Sequence, residues 1–192
     1  MSPASSPRRD DLLELAYQHV LTHGLADMSL RPLASAIGSS PRVLLFLFGS
    51  KDGLVRALLE RARADELALL EQLRARTGTA DGTTLGAVTA EIWHWLAMAE
   101  HRALLTLWAE AYTRSLTDPE GAWNGFARGT VRDWLDLLTA AQDPAEGDRS
   151  TLALAVLRGA LLDLLATGET ERITGAVLRF ATSLGYPGRL NS

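Results

Sequence analysis

Three side chains on one face of a short predicted helix are of types that could recognise base pairs. Residues 40–48 predict a helix with an apolar core-facing stripe, which leaves Arg42, Leu45 and Phe46 together on the opposite face. Arginine can donate two hydrogen bonds to guanine, and leucine and phenylalanine can pack against the methyl group of thymine. This face therefore indicates DNA recognition. The alternative is a plain hydrophobic surface that another element covers.

The residues before this helix predict a helix-turn-helix. Ser29 is a suitable N-cap for a first helix over 29–36, and Gly38 can end that helix in the left-handed conformation. Ser40 then begins the second helix as its N-cap. Two short helices joined by a glycine turn of this length form the motif whose second helix enters the DNA major groove.

The first sixty residues resemble the N-terminal domain of TetR-family transcriptional regulators. The matching features are Arg8-Arg9, His23-Gly24, Ser29-Leu30-Arg31, Leu33-Ala34, Gly38, Ser40, Leu44 and Phe48-Gly49-Ser50-Lys51. One departure is clear: the family usually carries a tyrosine and one or two histidines at 45–47, where this chain has Leu45, Phe46 and Leu47.

The resemblance implies a DNA-binding surface that combines base contacts with phosphate contacts. Serines and cations at helix N-termini could hold phosphates, although such serines are equally suited to be simple caps and such arginines to be solvated. The predicted DNA-binding residues are Arg8, Ser29, Arg31, Ser39, Ser40, Arg42, Leu45, Phe46, Ser50 and Lys51.

Composition narrows the possible functions. The 192 residues are 47% apolar, carry a net charge of −4 and include no cysteine, which excludes thiol chemistry and disulfides. Residues 1–60 contain equal numbers of acidic and basic side chains, so strong non-specific DNA binding is not expected. No signal peptide is visible, and the apolar stretch 152–166 contains two charges, so we predict a cytoplasmic protein with no membrane partner.

No catalytic constellation is apparent, and we predict a protein that is not an enzyme and has no cofactor. The four histidines are scattered along the chain. Glu91, His94 and His101 could share a helix face, but this spacing is only a weak indication of metal binding, and we predict no metal site.

Helical periodicity without any strand pattern predicts an all-α fold of about nine helices. We expect a DNA-binding domain at 1–50 and a ligand-binding and dimerisation domain at 51–192. Asp118-Pro119 predicts the start of the seventh helix.

The tryptophans suggest a small-molecule site. All five lie between residues 93 and 134, and the family resembled encloses its ligand between helices four to seven. Aromatic walls with a few polar groups are typical of cavities for apolar or aromatic ligands, although aromatic residues at helical spacing are more often core. The predicted ligand-binding residues are Trp93, Met98, Trp108, Tyr112, Trp123, Phe126 and Thr130.

The eighth predicted helix is more apolar than one side of a monomer core requires, and the ninth also carries apolar side chains, which predicts a homodimer through helices eight and nine. The sequence thus predicts a ligand-responsive repressor that binds a palindromic, double-stranded operator as a dimer. The alternative is a helical small-molecule-binding or protein-interaction module that has lost sequence-specific DNA binding.

Overall fold

The computed structural model describes residues 7–25, 28–77, 84–142 and 147–185, apart from the side chain of Arg74. Over these ranges the chain forms nine α-helices and no strand, which confirms the all-α prediction. The helices are α1 Pro7–His23, α2 Leu30–Ala36, α3 Pro41–Phe48, α4 Lys51–Thr77, α5 Leu85–Ala97, α6 Arg102–Thr117, α7 Phe126–Ala140, α8 Arg149–Thr167 and α9 Thr170–Ser183, with a 3₁₀ turn at Ala99–His101 before α6.

The predicted start of the seventh helix is wrong. The chain from Asp118 forms successive turns, in which the Gly121 amide donates to the Asp118 carbonyl (3.2 Å) and the Asn124 amide donates to the Gly121 carbonyl (3.2 Å). Gly125 then adopts a positive φ of 77°, a conformation that a helix cannot contain, so α7 begins only at Phe126. The aspartate–proline pair starts a turn here rather than a helix.

The described residues group into two compact units. Unit 1 lies within Met1–Asp65 and Ala103–Arg128, and unit 2 lies within Glu66–Arg102 and Gly129–Ser192. Helix α4 contributes its first part to unit 1 and the remainder to unit 2. The functional division at residue 50 stays a prediction.

Unit 1 is built around one hydrophobic core to which α1, α2, α3, the first part of α4 and α6 contribute. Tyr17, Leu33 and Leu44 are almost fully buried in it, one each from α1, α2 and α3. Leu58 from α4 and Leu107 from α6 join the same cluster. The short helices α2 and α3 are therefore held by tertiary packing, because helices of seven and eight residues are not stable alone.

In unit 2, helices α5, α8 and α9 pack against one another. The indole of Trp93 is completely buried and its Nε1 donates a hydrogen bond to Thr174 Oγ1 of α9 (2.9 Å). On the surface, Arg172 of α9 pairs with Asp163 of α8 (2.8 Å). This hydrogen bond to Arg172 lowers the pKa of Asp163.

Helix α8 is long and apolar enough to cross a membrane, the one such helix in the part of the chain that the structure describes. This is weak support for a membrane span, because a core helix passes the same test. Ala153, Leu157 and Leu164 of α8 are buried within the protein. The helix also carries Arg158 and Asp163.

Candidate functional site

The turn between α2 and α3 has the predicted geometry. Gly38 adopts a positive φ of 67°, and Ser40 caps α3 because its Oγ accepts a hydrogen bond from the Val43 amide (3.3 Å). Pro41 occupies the first position of α3, and Gly49 (φ 79°) ends that helix. Local chemistry therefore fixes both ends of α3.

The outward face of α3 carries the three side chains expected from the sequence. Leu44 and Phe48 are buried in the core of unit 1, whereas Arg42, Leu45 and Phe46 are exposed. Phe46 is 86% exposed, more than any other large apolar side chain among the described residues. An apolar surface on the solvent side of a helix commonly marks a binding site.

The serines predicted to hold phosphates have different environments, whereas the predicted cations are exposed. Ser50 caps α4, with its Oγ accepting from the Gly53 amide (2.9 Å), and Lys51 beside it is exposed. Ser29 has N-cap backbone geometry at α2, but its side chain makes no capping hydrogen bond. Arg8 and Arg31 are exposed. The Oγ of Ser39 is buried and has no hydrogen-bond partner among the described residues.

Arg9, which was not among the predicted DNA-binding residues, contacts the C-terminal end of α3. Its guanidinium lies over the Phe48 ring, 4.9 Å from the ring centroid, and it also pairs with Asp10 (3.6 Å). This contact joins α1 to the C-terminal end of α3. The sequence signal is weak, because nothing in the spacing of residues 9 and 48 indicates that they meet.

Gly53 sits where α3 turns into α4. A Cβ atom at this position would lie well inside van der Waals contact with the carbonyl oxygen of Phe48, which is a backbone atom and cannot move aside alone. Glycine is therefore required for the close approach between the end of α3 and the first turn of α4. No role for this glycine was expected from the sequence, although a glycine in the first turn of a helix is a signal that could have indicated the close approach.

Four polar side chains connect α1 to α4 within unit 1. Arg61 donates to Glu14 Oε2 (2.9 Å) and to Asp65, and its guanidinium lies 4.7 Å from the centroid of the Tyr17 ring. The Tyr17 hydroxyl donates to Asp65 Oδ2 (2.8 Å). Burial of the phenol, together with this hydrogen bond, raises the pKa of Tyr17.

The same network perturbs Glu14. The Gln18 amide donates to Glu14 Oε1 (2.8 Å), and this hydrogen bond together with Arg61 lowers the pKa of Glu14 below its ordinary value of 4.5. The carboxylate is therefore ionised at neutral pH, as its pairing with Arg61 requires.

Helix α6 holds the loop that follows α1 through one carboxylate. Glu110 Oε2 accepts a hydrogen bond from the Leu25 amide (2.9 Å), and Leu25 itself is buried. The second oxygen, Oε1, is buried and has no hydrogen-bond partner among the described residues. No local sequence pattern could have indicated this pairing, because it spans 85 residues.

Four of the predicted ligand-binding residues lie in unit 1. The rings of Trp108 and Tyr112 stack on α6 with centroids 5.0 Å apart. Phe126 belongs to the hydrophobic cluster, and Trp108 and Trp123 are partly buried against it. Trp123 lies in the turns before α7 rather than on that helix.

The other three lie in unit 2 and have different environments. Trp93 is completely buried with its indole bonded to Thr174, and Met98 is largely exposed. Thr130 is buried beside Glu66, a 7% exposed carboxylate of α4. Glu66 accepts hydrogen bonds from Trp134 Nε1 (2.6 Å) and from the Thr130 hydroxyl (3.5 Å).

The side chains weighed as a metal site do not converge. His101 stacks on Trp95, with ring centroids 3.8 Å apart, and its Nδ1 lies 2.8 Å from the Trp95 carbonyl. His94 is exposed. Among the described residues no group of three or more histidine, aspartate or glutamate side chains is placed to hold a metal ion.

Comparison with solved protein structures supports the fold. No protein-family model and no curated protein matches the chain. A Rhodococcus sp. protein assigned to the TetR family of transcriptional regulators superimposes with a TM-score of 0.72 at 17% identity, over 94% of this chain and 100% of that one. A TetR transcription regulator from Haloarcula marismortui gives a TM-score of 0.66 at 17% identity, over 94% and 97%.

A third structure was solved with a small molecule. The multidrug binding protein EbrR, complexed with proflavin, gives a TM-score of 0.63 at 25% identity, over 90% of this chain and 98% of that one. The chain is thus an all-helical protein with an N-terminal helix-turn-helix. Its fold is that of the TetR-family transcriptional regulators, as the resemblance of its first sixty residues implied.

Proposed function

We propose that the chain is a DNA-binding transcriptional regulator, a ligand-responsive repressor that binds a palindromic operator as a dimer in the cytoplasm. The observation that carries this proposal is the exposed face of α3, where Arg42, Leu45 and Phe46 point away from the core of unit 1. Ser40 and Gly49 define the two ends of α3, which supports its role as a rigid recognition helix.

Local charge supports DNA as the partner. Residues 28–51 contain three cations, Arg31, Arg42 and Lys51, and no acidic residue, whereas the whole chain has a net charge of −4. The exposed cations of this segment would attract the phosphate backbone, and the rest of the surface would repel it. This distribution favours binding through one face of the protein.

The test is selection of bound fragments from random-sequence DNA at low and at physiological salt. We expect an enriched palindrome that survives the higher salt, and we expect Arg42→Ala to weaken binding to it by about 1–3 kcal/mol if Arg42 pairs with guanine. Arg128→Ala, which removes an exposed arginine outside the predicted surface, is the matched control. Binding that disappears with salt and selects no sequence would instead support the interaction-module alternative.

We propose further that the ligand is a small aromatic molecule. The proflavin complex of EbrR supports this class, and so does the Glu66 carboxylate of unit 2, which is buried beside Trp134 and Thr130. A carboxylate in an aromatic setting would favour a planar cation over a neutral ligand. Titration of proflavin fluorescence tests the proposal. Glu66→Gln should weaken binding, and Glu60→Gln, an exposed glutamate of the same helix, should not.

The exposed stripe of α8 supports a homodimer. Leu152 and Leu162 are 52% and 55% exposed, and Ala155, Gly159 and Ala166 lie on the same side of the helix. No atom lies within 4 Å of a Cβ placed on Gly159, so a second helix could approach closely there. A twofold dimer would present two copies of α3 to a palindromic site.

A further inference from the structure

The exposed face of α3 that carries Arg42, Leu45 and Phe46, here called the reading face, has an unusual chemistry for a surface that contacts DNA. Its most prominent side chain, Phe46, has no hydrogen-bonding group, and neither does Leu45 beside it. Arg42 is the one side chain of this exposed trio that can donate a hydrogen bond. Specificity from this face must therefore combine one polar contact with contacts to apolar groups of the DNA.

The major groove offers very few apolar groups. Thymine presents a methyl group at C5, whereas adenine, guanine and cytosine present no methyl group and are distinguished by their hydrogen-bond donors and acceptors. A phenyl ring placed over the cytosine amino group would remove water from a donor without replacing its hydrogen bond, which is unfavourable. Phe46 therefore favours a C5-methyl pyrimidine, either thymine or 5-methylcytosine, because both carry the same methyl group at the same position.

The spacing on the helix sets the distance between the two contacts. Arg42 and Phe46 are four residues apart in α3, which is about 6 Å along the helix axis. Successive base pairs are about 3.4 Å apart, so two side chains one turn apart reach positions within about two base pairs of each other. Arg42 lies in the first turn of α3, the part of a recognition helix that usually contacts base edges.

We infer that α3 recognises a C5-methyl pyrimidine within two base pairs of a guanine, with Phe46 packing on the methyl group and Arg42 pairing with the guanine. This inference rests on the proposed function, because it specifies what the DNA-reading face recognises. The positive charge of residues 28–51 makes a DNA duplex, rather than an apolar protein surface, the occupant that this face fits.

The experiment removes or adds the methyl group without changing the sequence. Random duplexes, half of them treated with a CpG methylase, are selected on the purified full-length chain. The enriched pool is then copied with dTTP or with dUTP, since deoxyuridine is thymidine without its C5 methyl group. We expect the dUTP copy to bind about fourfold more weakly for each methyl group contacted, the effect of burying one such group.

The Phe46→Ala variant tests whether the preference belongs to this side chain. It should bind the dTTP and dUTP copies equally, whereas Leu116→Ala, which removes an exposed leucine of α6, should keep the full preference. Enrichment of CpG sites from the methylated library alone would identify 5-methylcytosine as the methyl source. Enrichment of thymine next to guanine from both libraries would identify thymine.

The outcomes separate this inference from the proposed function. Equal binding of the dTTP and dUTP copies, together with no enrichment of CpG sites from the methylated library, would overturn the inference while leaving sequence-specific DNA binding intact. A preference for methyl groups that persists in Phe46→Ala would overturn the role of Phe46. A selection that enriches no sequence would overturn both the inference and the DNA-binding function.

Discussion

Tyr17 shows how one residue can report on the packing of unit 1. Its phenol is buried, donates to Asp65 Oδ2 (2.8 Å) and has its pKa raised above 10.0 by burial and by this carboxylate. Because the pKa is raised in the folded chain, the stabilisation by Tyr17 is complete below pH 10 and is lost as the pH rises through the folded pKa. We expect unit 1 to loosen in alkali for this reason.

The matching variant is Tyr17→Phe, which keeps the ring under Arg61 and removes only the hydroxyl. It should lower the unfolding free energy at pH 7 by about 1 kcal/mol, the usual net contribution of one hydrogen bond. The tyrosinate absorbance of the folded wild type minus that of the variant gives the titration of Tyr17 itself. A difference curve with its midpoint at or below pH 10 would contradict the raised pKa.

At the scale of single residues, the roles that could be predicted from the sequence are those that depend on adjacent positions in the chain. Ser40 was predicted as an N-cap because Pro41 follows it, and its Oγ does cap α3. Gly38 was predicted to adopt a left-handed conformation because it lies between two helices, and its φ is positive. The partners of Glu66 and Glu110 lie 64 to 85 residues away, so no local pattern could have indicated their hydrogen bonds. Carboxylates that accept hydrogen bonds from such distant residues are identified only once the fold is known.

At the scale of elements, the junction between α3 and α4 depends on the missing side chain at Gly53. Alanine ordinarily stabilises a helix relative to glycine by about 0.5–1 kcal/mol. At Gly53 we expect the opposite sign, a loss of about 1–3 kcal/mol, because the new Cβ would collide with the Phe48 carbonyl and displace the end of α3.

Gly175→Ala is the control for this substitution. Gly175 lies within α9, and no atom lies within 4 Å of a Cβ placed there, so its replacement should be stabilising. Chemical denaturation measures both variants, and binding to the selected operator shows whether α3 has moved. A stabilised Gly53→Ala with unchanged DNA affinity would show that the close approach is not needed.

The link between α6 and the loop after α1 gives a second prediction about elements. Glu110→Ala would leave the buried Leu25 amide without its acceptor, which should cost about 1–3 kcal/mol. Glu110→Gln keeps an oxygen that can accept from this amide and should recover part of the loss. Hydrogen exchange at the Leu25 amide would follow the contact directly, and equal protection in all three proteins would argue against it.

The boundaries of α2 and α3 followed from the sequence, since caps and glycine stops are local signals. These helices, predicted over 29–36 and 40–48, span Leu30–Ala36 and Pro41–Phe48. The exception is α7, where Pro119 matched a helix start but the glycines at 121 and 125 favour turns. A proline is compatible with both the first turn of a helix and a β-turn, so the residues that follow it determine which of the two forms.

At the scale of the whole molecule, the dimer proposal depends on the exposed leucines of α8. Leu162→Glu would place a charge in the proposed interface, and burial of an unpaired carboxylate is strongly unfavourable. We expect this variant to sediment as a monomer at concentrations at which the wild type is a dimer, and to lose operator affinity.

Leu116→Glu is the control, since Leu116 is also exposed (63%) but lies on α6 outside the proposed interface. It should leave the sedimentation of the wild type unchanged. If the Leu162→Glu variant remains a dimer, the dimer interface does not include this face of α8. The sequence predicts an excess of apolar side chains on α8, but only the structure identifies which of them face outward, because the helix is apolar on most sides.

The chain carries one lysine among its 19 basic residues, and that lysine, Lys51, is exposed at the start of α4 beside the Ser50 cap. Formaldehyde couples protein to DNA chiefly through side-chain amines, and Lys51 has the only one. Under the proposed DNA-binding function, formaldehyde crosslinking of this protein to chromosomal sites should therefore depend mainly on Lys51. Lys51→Arg would keep the charge and should greatly lower the recovery of bound DNA in chromatin immunoprecipitation.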